Sequence, residues 1–154
     1  MMTPDHILDS LDSHLNKDDE IELLLLKGHL ILEQALNAQL SLHIPDRKRL
    51  DGLNLMFSKK LDLLVALEGG DPLELVDSVK HLKEINRIRN KLAHQLEFKG
   101  HYKELKDWAC AVLNYTPKTI NRKRTFRNML RKAFYFLTAA LVSNAYVRSE
   151  LRTQ

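Results

Sequence analysis

Apolar residues recur along this chain at the three- and four-residue spacing of an α-helix, and no segment shows the alternating spacing of a strand. The longest stripe is Ile21, Leu24, Leu25, Leu32, Ala35, Leu36 and Leu40. With only 5 glycines and 4 prolines in 154 residues, there is too little turn-forming sequence for a β-rich fold. The expected class is all-α: a single-domain bundle of five or six helices over residues 1–154, joined by short connections.

The few breakers set the boundaries. Thr3-Pro4 reads as a cap and first-turn proline opening a helix to about Leu15. Asp18 and Asp19 open a long helix that Pro45 ends, their charge favoured at a helix N-terminus. Asp46–Arg49 reads as a charged connector. A third helix is expected from about Leu50 to Leu67, with Leu53, Phe57, Leu61, Leu64 and Val65 inward. Gly69-Gly70 stops it, and Asp71-Pro72 starts a fourth helix that runs to about Phe98, with Leu75 on its apolar stripe. A shorter helix covers Tyr102–Leu113, a loop Asn114–Asn121, and a last helix Arg122–Arg148.

Composition excludes several classes of protein. No apolar run reaches the ~18 residues of a membrane span. The uncharged stretch Ala133–Val147 carries polar residues and follows a basic segment, so it reads as a core helix. Asp5, Asp9 and Asp12 are the opposite of a signal peptide's basic start, and a cytoplasmic location is expected. The lone cysteine, Cys110, excludes an internal disulfide or a cysteine metal cluster. It reads as core, as does Trp108. The charge is lopsided: residues 1–76 hold 7 Lys/Arg against 14 Asp/Glu, and residues 77–154 hold 17 against 6. Either the second half meets an anionic partner, or two unlike surfaces fold against one another.

The hexapeptide Arg89-Asn90-Lys91-Leu92-Ala93-His94 carries the chemistry. Arg is a permanent cation with a planar fork of donors that suits phosphate. His takes and gives protons near neutrality. Asn86, Asn90 and His94 form a polar row on one helix face, while Arg89 falls on the apolar stripe and needs a partner there. Arg89 and His94 lie ~140° apart around the axis, so one chain does not clamp one atom between them. RNA cleaves when its 2′-oxygen attacks the adjacent phosphorus. This needs a base, an acid and positive charge, but no metal or other cofactor. A two-fold dimer would supply two histidines and two Arg89 clamps. The plain alternative is an Arg and a His that only pair with carboxylates.

The segment RNKLAH resembles the signature of the HEPN superfamily. Phe57–Leu67 (FSKKLDLLVAL) followed by Leu82–His94 (LKEINRIRNKLAH) is similar to families related to the mannitol operon repressor, and Gly28–Leu36 (GHLILEQAL) looks like their first core helix. The resemblance covers about Asp18–Phe98. It implies a helical homodimer whose motif helices meet in a cleft, and a ribonuclease that acts as a toxin or defence component, with RNA and an antitoxin or other regulatory protein as partners. In the repressor-like branch it implies a non-catalytic regulator working through protein contacts. Carried over, Arg89 would hold phosphate, His94 would be the acid/base group and Asn90 would orient the motif. Many toxin members carry Tyr two residues after the His, where this chain has Leu96.

Two further groups are candidates. Glu33, within an apolar run, could order Arg89 or His94 across the bundle, or lie exposed beside the stripe. His29 lies four residues before it, a spacing that allows a simple pair. Lys118, Arg122, Lys123, Arg124, Arg127, Arg131 and Lys132 form a basic run in which Arg124, Arg127 and Arg131 recur at helical spacing. They could contact a nucleic-acid backbone or a partner, or be neutralised by the acidic first half.

Overall fold

A computed structural model describes residues 3–153, apart from the side chains of Tyr146, Ser149 and Arg152; Met1, Met2 and Gln154 of the expected 1–154 domain lie outside the described residues. The described chain is all-helical, with seven α-helices where five or six are expected. They are α1 Pro4–His14, α2 Ile21–His43, α3 Arg47–Gly52, α4 Phe57–Glu68, α5 Ser78–His94, α6 Tyr102–Leu113 and α7 Lys123–Thr153. Single 3₁₀ turns at Glu74–Val76 and Lys99–His101 precede α5 and α6.

The pairing of α2 with α7 is the most extensive in the fold. It is close because Gly28 presents no side chain: a Cβ there would come within 2.5 Å of the Phe134 ring. Trp108 of α6 packs on the same ring at 5.1 Å between centroids, and its indole N–H donates to the His81 carbonyl of α5 at 2.9 Å. The buried Gln39 amide donates to the Leu141 carbonyl at 2.8 Å, a second tie between α2 and α7. At the far end, the buried Glu68 carboxylate of α4 joins α2 and α7, accepting from His43 Nε2 at 2.8 Å and pairing with Arg148.

Five boundaries differ from expectation, one of them at the end of α7, which runs past Arg148 to Thr153. The third expected helix is two helices, and its supposed connector is already helical: Asp46 caps α3 through its carboxylate, which accepts from Arg49 N at 3.3 Å. Asn54 then turns the chain at φ 50, and Leu53 stays half exposed instead of facing inward. The motif helix starts at Ser78, six residues beyond Pro72. Asp71 still caps it, but reaches over the 3₁₀ turn to do so, accepting from Leu73 N at 2.8 Å, Val79 N at 3.0 Å and the Ser78 hydroxyl. Leu75 is left fully exposed. At its other end α5 stops at His94, because Gln95 turns extended and Phe98 folds back into the core beside His101 and Tyr102. Finally, α2 starts at Ile21, and Asp19 accepts from Asn16 N and pairs with Lys27 in place of a first-turn role.

Candidate functional site

The face of α5 that carries Asn86, Arg89 and Asn90 opens onto a cleft of about 370 Å³. Its other walls are His29, Leu30 and Glu33 of α2 and the start of α4 at Met56, Phe57 and Ser58. Ile85 and Ile88, fully buried, hold that face of α5 in place. Arg89 is half-buried and makes no ion pair or hydrogen bond among the described residues. Arg87, two positions earlier, is fully engaged by Glu84 and Glu104. Glu104 also takes Lys91 at 3.2 Å, and this network, led by Arg87, holds the Glu104 carboxyl down at about 2. The motif's cations therefore divide. Lys91 belongs to the fold, while Arg89 is left to the cleft.

A second feature of the cleft favours an anion. Helix α4 begins without a side-chain cap, because Met56 stands where Ser, Thr, Asp or Asn would supply an oxygen. Its first-turn amides have no partner among the described residues, and they carry the positive end of the helix dipole. A half-buried guanidinium, an uncapped helix start, the Ser58 hydroxyl and the side-chain amide of Asn90 are the groups that bind phosphate oxygens.

The imidazole in this cleft is His29. It is 5% exposed, stacks on Phe57 at 4.3 Å between ring centroids and has Nε2 2.9 Å from Asn86 Oδ1. A carbonyl oxygen only accepts, so Nε2 carries the proton and Nδ1 keeps its lone pair. Burial pushes the His29 pKa down against the Asn86 hydrogen bond, and the nearby Arg89 charge adds to the shift. The pair that sequence spacing allows with Glu33 does not form as a hydrogen bond, since Glu33 accepts from Lys60 Nζ of α4 at 3.0 Å. Glu33 thus fixes α2 to α4 on the rim of the cleft and is not hydrogen-bonded to Arg89 or His94. The signal for His29 in the sequence was a histidine on an apolar stripe. Its burial against Phe57 and Asn86 depends on two other helices.

His94 lies elsewhere. It is the last residue of α5, exposed, outside the cleft lining and without a described partner. The rotation of ~140° between positions five apart accounts for this. Asn90 is exposed at the edge of the cleft.

The basic run is divided as well. Lys123 and Arg127 both pair with Glu20 at 3.2 Å, and Arg131 Nε donates to the Leu15 carbonyl at 2.9 Å. These three clamp α7 to the segment between α1 and α2. Lys118, Arg122 and Arg124 remain exposed and make no described ion pair. The helical face expected from Arg124, Arg127 and Arg131 is therefore reduced to its first member. Glu20 of the acidic first half neutralises Arg127, and the Leu15 carbonyl holds Arg131.

Among the described residues, no group of three or more His, Cys, Asp or Glu side chains is placed to hold a metal ion, and no helix is long and apolar enough to cross a membrane. No family model, characterised protein or solved structure matches the chain.

Proposed function

We propose that this protein is a metal-independent endoribonuclease of the HEPN type, a toxin or defence component working as a two-fold dimer with a composite site. The observation that carries this reading is the unengaged guanidinium of Arg89 in a cleft that also receives the uncapped start of α4. The scissile phosphate sits there. A base removes the proton from the 2′-hydroxyl as the O2′–P bond forms. An acid gives a proton to O5′ as the P–O5′ bond breaks, leaving a cyclic phosphate and a free 5′-hydroxyl. His94 is exposed and uncommitted, as a group that completes a site on a second copy must be. Lys118, Arg122 and Arg124 are the cations free to meet the flanking RNA backbone. The intracellular partner that restrains such an enzyme would be an antitoxin.

The test is RNA cleavage by the full chain in EDTA. Wild type yields cyclic-phosphate ends. His94→Ala and Arg89→Ala each lower the rate by about 10²-fold or more, the scale of a lost acid/base or oxyanion group. Cleavage by His94→Ala at the wild-type rate would sink the composite site, and if His29→Gln then proved inactive, the chemistry would lie within one chain.

A second reading has its own observation. His94 stands outside the cleft, and three cations of the basic run are spent within the fold. Both facts suit a non-catalytic HEPN-like regulator similar to the mannitol operon repressor group. That reading requires no cleavage at any concentration and a protein partner bound by the same face.

A further inference from the structure

A second cleft, of about 360 Å³, lies between the start of α5 and the end of α6, and its chemistry is the reverse of the first. Its acceptors are the Asp77 carboxylate, the His81 ring and the carbonyls at the end of α6. Asp77 stands at the N-cap of α5 but its side chain makes no capping hydrogen bond, and Asp71 takes Val79 N and the Ser78 hydroxyl instead. Its carboxylate is thereby released; among the described residues Lys80, at 3.9 Å, is its one ion-pair partner and a loose one, with both side chains mostly exposed. Asp77 is also held at φ 52, in the left-handed region, where non-glycine residues are uncommon and where functional sites often keep strain. One turn on, His81 borders the same cleft. It is 8% exposed and its ring makes no described hydrogen bond. Burial pushes its pKa down, so at neutral pH the ring is uncharged and keeps a lone pair.

The opposite wall is the end of α6. Asn114, also left-handed, closes the helix by donating to the Ala111 and Cys110 carbonyls. The Val112 and Leu113 carbonyls are left without a described donor, at the negative end of the helix dipole. The remaining walls are apolar: Leu75 is fully exposed and Phe136 is 41% exposed beside the polar groups. Among the described residues no Lys or Arg lines the cleft, and Lys80 reaches Asp77 only from outside the lining.

We propose that this cleft binds a small organic cation, a primary ammonium on a hydrocarbon body. The ammonium lies among Asp77, His81 and the α6 carbonyls, and the hydrocarbon covers Leu75 and Phe136. An ammonium has three donors and no acceptor, which matches the Asp77 carboxylate, the lone-pair nitrogen of His81 and the unbonded carbonyls at the end of α6. The volume is at the small end of ligand pockets, which suits a body of about six carbons.

The experiment titrates the full chain with n-hexylammonium, n-hexanol and n-hexanoate, reading the His81 ring and the Asn114 amide by NMR. Saturable shifts at both positions are expected with hexylammonium, at least about tenfold weaker binding with hexanol and none with hexanoate, since a charged hydrogen bond is worth about ten- to a hundredfold. Asp77→Asn tolerates the left-handed backbone and Asp77→Gly relieves it, so both fold, and both weaken hexylammonium by about tenfold or more. Equal shifts from all three probes, no saturation, or wild-type binding by the two Asp77 variants would each overturn the assignment.

Discussion

The start of the motif helix hangs on one carboxylate, and its removal is a sharp test of how this fold is held. Asp71 accepts from Leu73 N, Val79 N and the Ser78 hydroxyl, all part-buried. Asp71→Ala loses an N-cap, typically ~1 kcal/mol and up to ~2. It also orphans a part-buried hydroxyl and the Leu73 amide, whose bonds to a charged acceptor carry ~1.5–3 kcal/mol each when fully buried and less here. A net loss of about 2–3 kcal/mol follows, or a fall in Tm of roughly 4–12 °C for a chain of this length. Asp71→Asn keeps one carbonyl acceptor and should cost about half as much. Chemical denaturation gives the total, and amide hydrogen exchange shows where it acts: protection should fall over 78–82 before it falls in α2 or α7. A loss within the ~0.5 kcal/mol of an ordinary surface change, or faster exchange spread evenly over the molecule, would refute the reasoning.

Three other outcomes follow from the geometry. Gly28→Ala gains ~1 kcal/mol of helix propensity but drives a Cβ to 2.5 Å from the Phe134 ring, so a net destabilisation of ~1–2 kcal/mol is expected by urea denaturation, relieved by Phe134→Leu. Glu104 is held down to about 2, first by Arg87, so its contribution is complete above its ordinary value of 4.5 and is lost as pH falls from there towards 2; Glu104→Gln should flatten the acid limb of a stability–pH curve. Burial lowers the pKa of His29 from 6.5, so the unfolded chain takes up the proton first and stability falls as pH drops below about 6.5, a decline that His29→Gln should reduce.

The all-α class, the span of α6 and the stop of α4 at Gly69 were legible because local rules decide them: helical spacing of apolar residues, and a glycine that enters the left-handed region, here φ 77, at no cost. The start of α5 was not legible. Asp71-Pro72 carries every local mark of a helix start, and the cap residue was identified, but its carboxylate serves a helix that begins at Ser78 after a 3₁₀ turn. A side chain that reaches seven or eight residues ahead leaves no periodic trace. The misplacement of Leu53 and Leu75 has the same origin: each sits at an inward phase of a continuous helix, and the real helix is interrupted beside it.

For the candidate site, residue type and spacing determined that Arg89 and His94 point to different sides of one helix, since rotation per residue is fixed. Tertiary structure decided the rest. Lys91, Arg127 and Arg131 look as free in the sequence as Arg89 does, and only Glu104 on α6 and Glu20 and the Leu15 carbonyl between α1 and α2 commit them to the fold. The same packing brings His29 and the bare start of α4 to the unpaired Arg89. Charge pairing and burial depend on distances between segments far apart in the chain, and those distances come from the packed bundle.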